Sequence, residues 1–234
     1  MFAILRRELS SYFTSAVGFV FLAVFYAASG FFLYQTMMYY ATADLSPVFG
    51  SMFTVLMFLI PLLTMRLWSE EKRQKTDQAL LTSPVSLTGI ILGKFFAAFI
   101  VFAAGVAMML VYAVVFAASA SPDWAVVFGN IVGLLLLGAA LIALGLFVSS
   151  LTENQIIAAI GCFVIILLIF QIDSLASIVP FQWMKTVLSS ISFTTRYQEF
   201  TKGLFNITSV IFFASVAVVF NFLTVRVLEK KRWS

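Results

Sequence analysis

The chain has no histidine, a single cysteine (Cys162) and few charges: Asp, Glu, Lys and Arg make up 10% of its 234 residues, against about a quarter in soluble globular proteins. Each shortage excludes something. One cysteine cannot form an intrachain disulfide, and without imidazole there is no histidine-based acid–base chemistry and no zinc site built on histidine. The sequence also lacks G-x-x-x-x-G-K-[ST], H-E-x-x-H and G-x-S-x-G. A nucleotide site or hydrolytic centre of those kinds is therefore absent.

Hydrocarbon is plentiful. Hydrophobic residues account for 62% of the chain and mean hydropathy is +1.08. Cutting the sequence at its charges leaves six long charge-free windows: Leu9 to Ala43, Leu45 to Met65, Phe95 to Pro122, Trp124 to Thr152, Asn154 to Ile172 and Gly203 to Val225. Each can supply the roughly 20 apolar residues that a helix needs to cross about 30 Å of hydrocarbon. The fold class expected is an all-α integral membrane protein with six transmembrane helices. The spans are placed at about Val17 to Met38, Pro47 to Leu67, Thr88 to Ala117, the windows named for spans 4 and 5, and Leu204 to Val225.

Eleven of the fourteen Lys and Arg residues sit at one set of span ends: Arg6 and Arg7, the loop from Arg66 to Lys94, and Arg226 to Arg232. Positive loops stay cytoplasmic, so both termini and the loop between spans 2 and 3 are expected inside. All four tryptophans, Trp68, Trp124, Trp183 and Trp233, fall at predicted span ends, where an indole ring is well placed between acyl chains and headgroups. The six windows themselves are free of charge, which leaves no carrier for ion coupling. Asn130, Asn221 and Gln171 read as helix caps or helix–helix bonds.

The polar stretch from Trp68 to Lys94 holds seven of the chain's twenty-four charges and reads as an island in water. Thr76 to Thr82 can form about two helical turns, with Thr76 as N-cap, Asp77 in the first turn, and Pro84 as a stop before Ser86 or Thr88 caps span 3. Leu80 and Leu81 lie amid its charges. The pattern fits a docking helix or a solvated turn whose leucines fold back on the bilayer.

Four further features are informative. Phe2, Leu5, Leu9 and Tyr12 form one apolar stripe, the mark of a helix lying in the interface; a signal peptide ending at Ala27-Ala28-Ser29 is the other reading, but the apolar run continues to Tyr40. Pro61 is expected to kink span 2. Between spans 5 and 6, Asp173 to Lys202 carries Ile178, Val179, Trp183, Met184, Val187, Leu188 and Ile191, too apolar for a free loop and too interrupted to span, which suits short half-helices entering the outer leaflet. Gly129 and Gly133 form a small-xxx-small pair, read first as packing within one subunit and second as a dimer contact.

The segments RRELSSYFTSAVGFVF, MRLWSEEKRQKTDQALLTSPVSLTGIILGKF, FTTRYQEFTKGLFNITSVIFF and FLTVRVLEKKRW resemble the permease subunits of ABC-2 type exporters, in particular the gliding-motility-like branch. Where many relatives have Gly-Thr after the E-E-K segment, this chain has Lys75-Thr76. The resemblance implies one ABC-2 type transmembrane domain over residues 1–234, with an interfacial helix over 1–14, a cytoplasmic coupling loop over 68–94 and an outer re-entrant segment over 173–203. It implies a permease subunit that is not itself an enzyme, in the plasma membrane, paired with a second, identical or related permease. A separate cytoplasmic ABC ATPase dimer would bind the ATP and magnesium. The coupling helix then falls on about Thr76 to Thr82, and the residues expected to couple to the ATPase are Glu70, Glu71, Lys72, Arg73, Thr76, Asp77, Leu80 and Leu81. Leu80 and Leu81 would enter a groove on the ATPase, Glu70 and Glu71 would pair with its rim, and spans 1, 2 and 5 would tilt. A scaffold or sensor that recruits an ATPase without transporting is the alternative. An intramembrane enzyme is disfavoured by the same missing residues.

Overall fold

A computed structural model describes residues 1–40, 44–81, 85–117, 123–174, 181–203 and 205–233. The helices are α1 (Phe2–Thr14), α2 (Ala16–Tyr40), α3 (Ser46–Thr64), α4 (Ser69–Arg73), α5 (Asp77–Leu81), α6 (Leu87–Ala117), α7 (Trp124–Leu151), α8 (Gln155–Phe170), α9 (Gln182–Ile191), α10 (Phe193–Thr201) and α11 (Ile207–Trp233). There is no strand among the described residues. Six helices are long and apolar enough to cross a membrane: α2, α3, α6, α7, α8 and α11. Thr82, Pro84, Ile178 and Val179 lie outside the described residues, as do the side chains of Leu81, Val187 and Trp233.

The bundle is built around α7. Of its most apolar window 72% is buried, against 17% for α8 and 22% for α2, and α3, α6, α8, α10 and α11 all pack on it. Asp123 starts it by accepting from the Ala125 and Val126 amides, which satisfies orphan donors of the first turn. Its small residues admit neighbours closely. A Cβ on Gly138 would collide with the Phe102 ring of α6, and one on Gly145 would collide with Thr64 of α3. At Gly133 a Cβ would stand 2.7 Å from the Phe200 side chain of α10. The Gly129–Gly133 pair is thus used inside the chain.

At one end of the bundle α10 lies across α7 and α3 with Phe193, Tyr197 and Phe200 buried. Tyr197 donates to the Phe49 carbonyl at 3.0 Å, and its ring stacks on Phe53, which in turn stacks on Phe170. Ser192 caps α10 and donates to Asp173 at 2.5 Å. The expected half-helices are therefore α9 and α10, of which only α10 is packed into the bundle; Trp183 on α9 is exposed.

At the opposite end, where α1, α4, α5 and the end of α11 gather, four expectations change. The stripe on α1 is rotated: Ile4 and Tyr12 are buried, Leu5 and Leu9 are half-buried and Phe2 is exposed, because Glu8 lies on the inward face between Ile4 and Tyr12. Lys94 belongs to the second turn of α6, so the third span does carry a charge. Trp68 is fully buried rather than interfacial. The polar stretch is not all in water, since Ser69, Lys72, Asp77 and Lys94 are buried. Pro61 sits inside α3, which continues to Thr64, and Ser86 does cap α6, its hydroxyl accepting from the Gly89 amide at 3.3 Å. Asn130 and Asn221 each donate to the carbonyl four residues back on their own helices.

Candidate functional site

The chain breaks between α3 and α4, and the break is held by side chains. Over Met65 to Trp68 the helical ladder is interrupted, with the Leu67 amide donating to Thr64, so that the last carbonyls of α3 and the first amides of α4 need other partners. Tyr12 of α1 donates its hydroxyl to the Leu63 carbonyl at 2.8 Å; burial pushes this phenol up from its ordinary pKa, which keeps it a donor. Ser149, near the end of α7, accepts from the amides of Trp68 and Ser69, both at 3.1 Å, and donates to the Met65 carbonyl at 3.0 Å. Arg66 donates to Ser15 and Ser11 at 2.6 and 2.8 Å, pinning the elbow between α1 and α2.

Beside the break lies a ring of alternating charges, buried at Lys94 and open to water at Arg7. Lys94 Nζ, with a side chain 1% exposed, stands 3.0 Å from both Glu8 Oε1 and Glu71 Oε1. Arg7 Nη2 reaches the same two oxygens at 2.6 Å each. Two cations thus share two carboxylates from α1 and α4, and Lys94 Nζ also faces the Trp68 ring at 5.5 Å, a cation–π distance. Burial opposes ionisation of Glu8, but the charges and hydrogen bonds of Lys94 and Arg7 outweigh it and hold the carboxyl below its ordinary range. A cavity of about 280 Å³ opens next to the ring, lined by Arg7, Ser11, Arg66, Gln74 and Thr76 among others.

The residues expected to couple to an ATPase come together here, on two sides. Facing inward are Glu71, in the ring; Glu70, paired with Arg66 at 3.0 Å; Lys72, which is buried and donates to the Ser150 carbonyl at the end of α7; and Asp77, buried and 3.3 Å from Lys231 of α11. Lys72 meets the negative end of the α7 dipole. Both glutamates are thus engaged within the chain. Leu80 is half-buried against the core. Facing outward are Arg73, Gln74, Lys75, Thr76 and Gln78. Lys75 has φ 57°, in the left-handed region that favours glycine.

Reading the sequence missed Arg7, Glu8, Tyr12, Lys94, Ser149 and Lys231. For Glu8 a signal was present: it occupies the middle of an i, i+4, i+8 series with Ile4 and Tyr12. Ser149, a serine at the end of an apolar helix, carried none.

Among the described residues no group of three His, Cys, Asp or Glu could hold a metal. No curated protein matches the chain. The profile of the family described as "ABC-2 family transporter protein" matches residues 3–233. With that match over nearly its whole length and six apolar helices around α7, the chain belongs to the ABC-2 transporter family, as a membrane-spanning permease subunit that is not itself catalytic.

Proposed function

We propose that this permease is the pathway-forming subunit of an ATP-driven exporter, worked by a separate cytoplasmic ABC ATPase that binds ATP and magnesium and docks on α4 and α5. The observation that carries the reading is the short α5, held between two membrane helices and fixed from inside by the Asp77–Lys231 pair while Arg73, Thr76 and Gln78 face out. Such a segment is stiff enough to transmit displacement and open enough to be gripped. In this reading Glu70, Glu71, Lys72 and Asp77 brace the segment from within, whereas Arg73 and Thr76 meet the ATPase directly. Leu80 and Leu81 supply its apolar anchor, with Leu80 turning out of its half-buried place on docking.

Both termini are cytoplasmic in the plasma membrane, as the bias of Lys and Arg supports. A second permease, identical or related, completes the pathway. The likeness of the motif segments to the gliding-motility-like branch supports assigning the chain to that branch. Affinity purification of the tagged permease should bring down an ABC ATPase whose hydrolysis is retained in the complex, and Leu80→Asp with Leu81→Asp should abolish the association while membrane insertion is unchanged, because small buried anchors dominate such interfaces. An ATPase that stays bound to the double variant contradicts the reading. A complex that hydrolyses ATP in vesicles without moving any solute would be a scaffold.

A further inference from the structure

We propose that the Arg7–Glu8–Glu71–Lys94 ring is a transmission clasp: it makes α1 travel with α4, so that displacement of the docking segment reaches the first span, α2. The inference rests on the reading of α4 and α5 as the docking segment.

A push on α4 has two covalent routes into the membrane. One runs back through Met65 to Trp68 into α3, but the helical ladder is broken there. The other runs forward through α5 and residues 82–84 into α6. The first reaches α2 only across that break, through α3, which packs along α2, and the second only by way of α6. A lateral route reaches it through side chains. Glu71 of α4 is joined to Arg7 of α1 and Lys94 of α6, and Glu8 of α1 closes on Lys94. From α1 the connection to α2 is the single residue Ser15, and that elbow is held by Arg66.

The ring suits rigid transmission. Lys94 is 1% exposed, so parting it from Glu8 and Glu71 would leave buried charges unpaired, which is strongly unfavourable. Ile4 packs so closely on α6 that a Cβ at Gly93 would lie 3.2 Å from its Cβ. The four charges sum to zero, so the clasp holds as a unit, and no member has to leave for α1, α4 and the start of α6 to move together.

The test uses the full-length permease with its co-purified ATPase in nanodiscs, read by hydrogen exchange with and without ATP and vanadate. The variant Arg7→Met with Glu8→Gln removes both charges, one of each sign, that α1 brings to the ring and leaves the Glu71–Lys94 pair between α4 and α6. In the wild type, trapping the nucleotide should change protection in the peptide 16–38. In the variant, ATP hydrolysis should persist, α1 amides should exchange about tenfold faster, and the nucleotide response of 16–38 should vanish.

A disulfide between Ile4→Cys and Gly93→Cys, added to that variant, should restore the response by reattaching α1. A variant that keeps the wild-type response of 16–38, or a disulfide in the wild type that abolishes it, overturns the clasp. If the wild type holds no ATPase, the docking reading fails instead; the clasp is then judged on the chain alone, and α1 amides exchanging no faster in the variant overturn it.

Discussion

Replacing Ser149 by alanine should be among the most damaging single-atom changes in this protein. Its hydroxyl serves three backbone groups at once: it accepts from the amides of Trp68 and Ser69 and donates to the Met65 carbonyl. Ser149, Trp68 and Ser69 are all fully buried, so water cannot take its place without opening the junction. The Met65 carbonyl keeps a second donor, the Ser69 hydroxyl, and loses little. The two amides keep nothing, and a buried donor left unsatisfied costs about 1–3 kcal/mol. Allowing for partial relaxation, Ser149→Ala should lower stability by about 2–4 kcal/mol. Reversible unfolding in mixed micelles measures the loss, and hydrogen exchange should place the increased opening in Trp68 to Gln74. A loss below about 0.5 kcal/mol, within the range of a neutral surface change, would refute the view that this hydroxyl holds α4 to the bundle.

Lys75→Gly should raise stability by about 1 kcal/mol, since lysine is held at φ 57° and glycine adopts that conformation without steric cost; Lys75→Val should lower it, and the same unfolding assay reads both. Gly138→Ala should destabilise by about 1–3 kcal/mol through its collision with Phe102, while Gly50→Ala, with nothing within 4 Å of the added carbon, serves as the neutral control. The pH dependence has a defined sign. Because the Glu8 carboxyl is held below its ordinary range in the folded protein, its stabilising contribution is fully present above that range and is lost as pH falls through the depressed value. Thermal scans should therefore show a drop at acid pH that shrinks in Glu8→Gln; an unchanged acid limb would contradict the ion pairing of Glu8.

The spans were legible in the sequence because an uninterrupted apolar window of about 20 residues has few other uses. The short helix at Asp77–Leu81 was legible from an acidic first turn at Asp77. The left-handed backbone at Lys75 was hidden, because a lysine carries no sign of that conformation. Which helix sits at the centre was hidden: mean hydropathy runs only from 2.1 to 2.8 across the six spans, so apolar windows facing lipid and facing protein look alike. The glycines of α7 hinted at close approach but not at which neighbour approaches.

The site was half legible. Charge density drew attention to Glu70, Glu71, Lys72 and Arg73, but counting charges treats them as one solvated cluster. In three dimensions Lys72 turns inward to the end of α7 and Glu71 to Lys94, while Arg73 remains outside. A buried charge is visible in sequence only when its partner is known, and here the partners lie far apart along the chain, 64 residues from Arg7 to Glu71 and 86 from Glu8 to Lys94. Trp68 misled for a related reason: an indole at a span end suits an interface, yet a cation beneath its ring suits it as well.

In the proposed function, α4 and α5 are where another polypeptide grips this permease. A photo-crosslinking benzoyl group introduced at Gln78, exposed on α5, tests it in intact membranes, with Phe58, exposed on the membrane-spanning α3, as the lipid-facing control. Gln78 should yield an adduct carrying an ABC ATPase and Phe58 should not. Adducts from Gln78 that contain only lipid would contradict the claim.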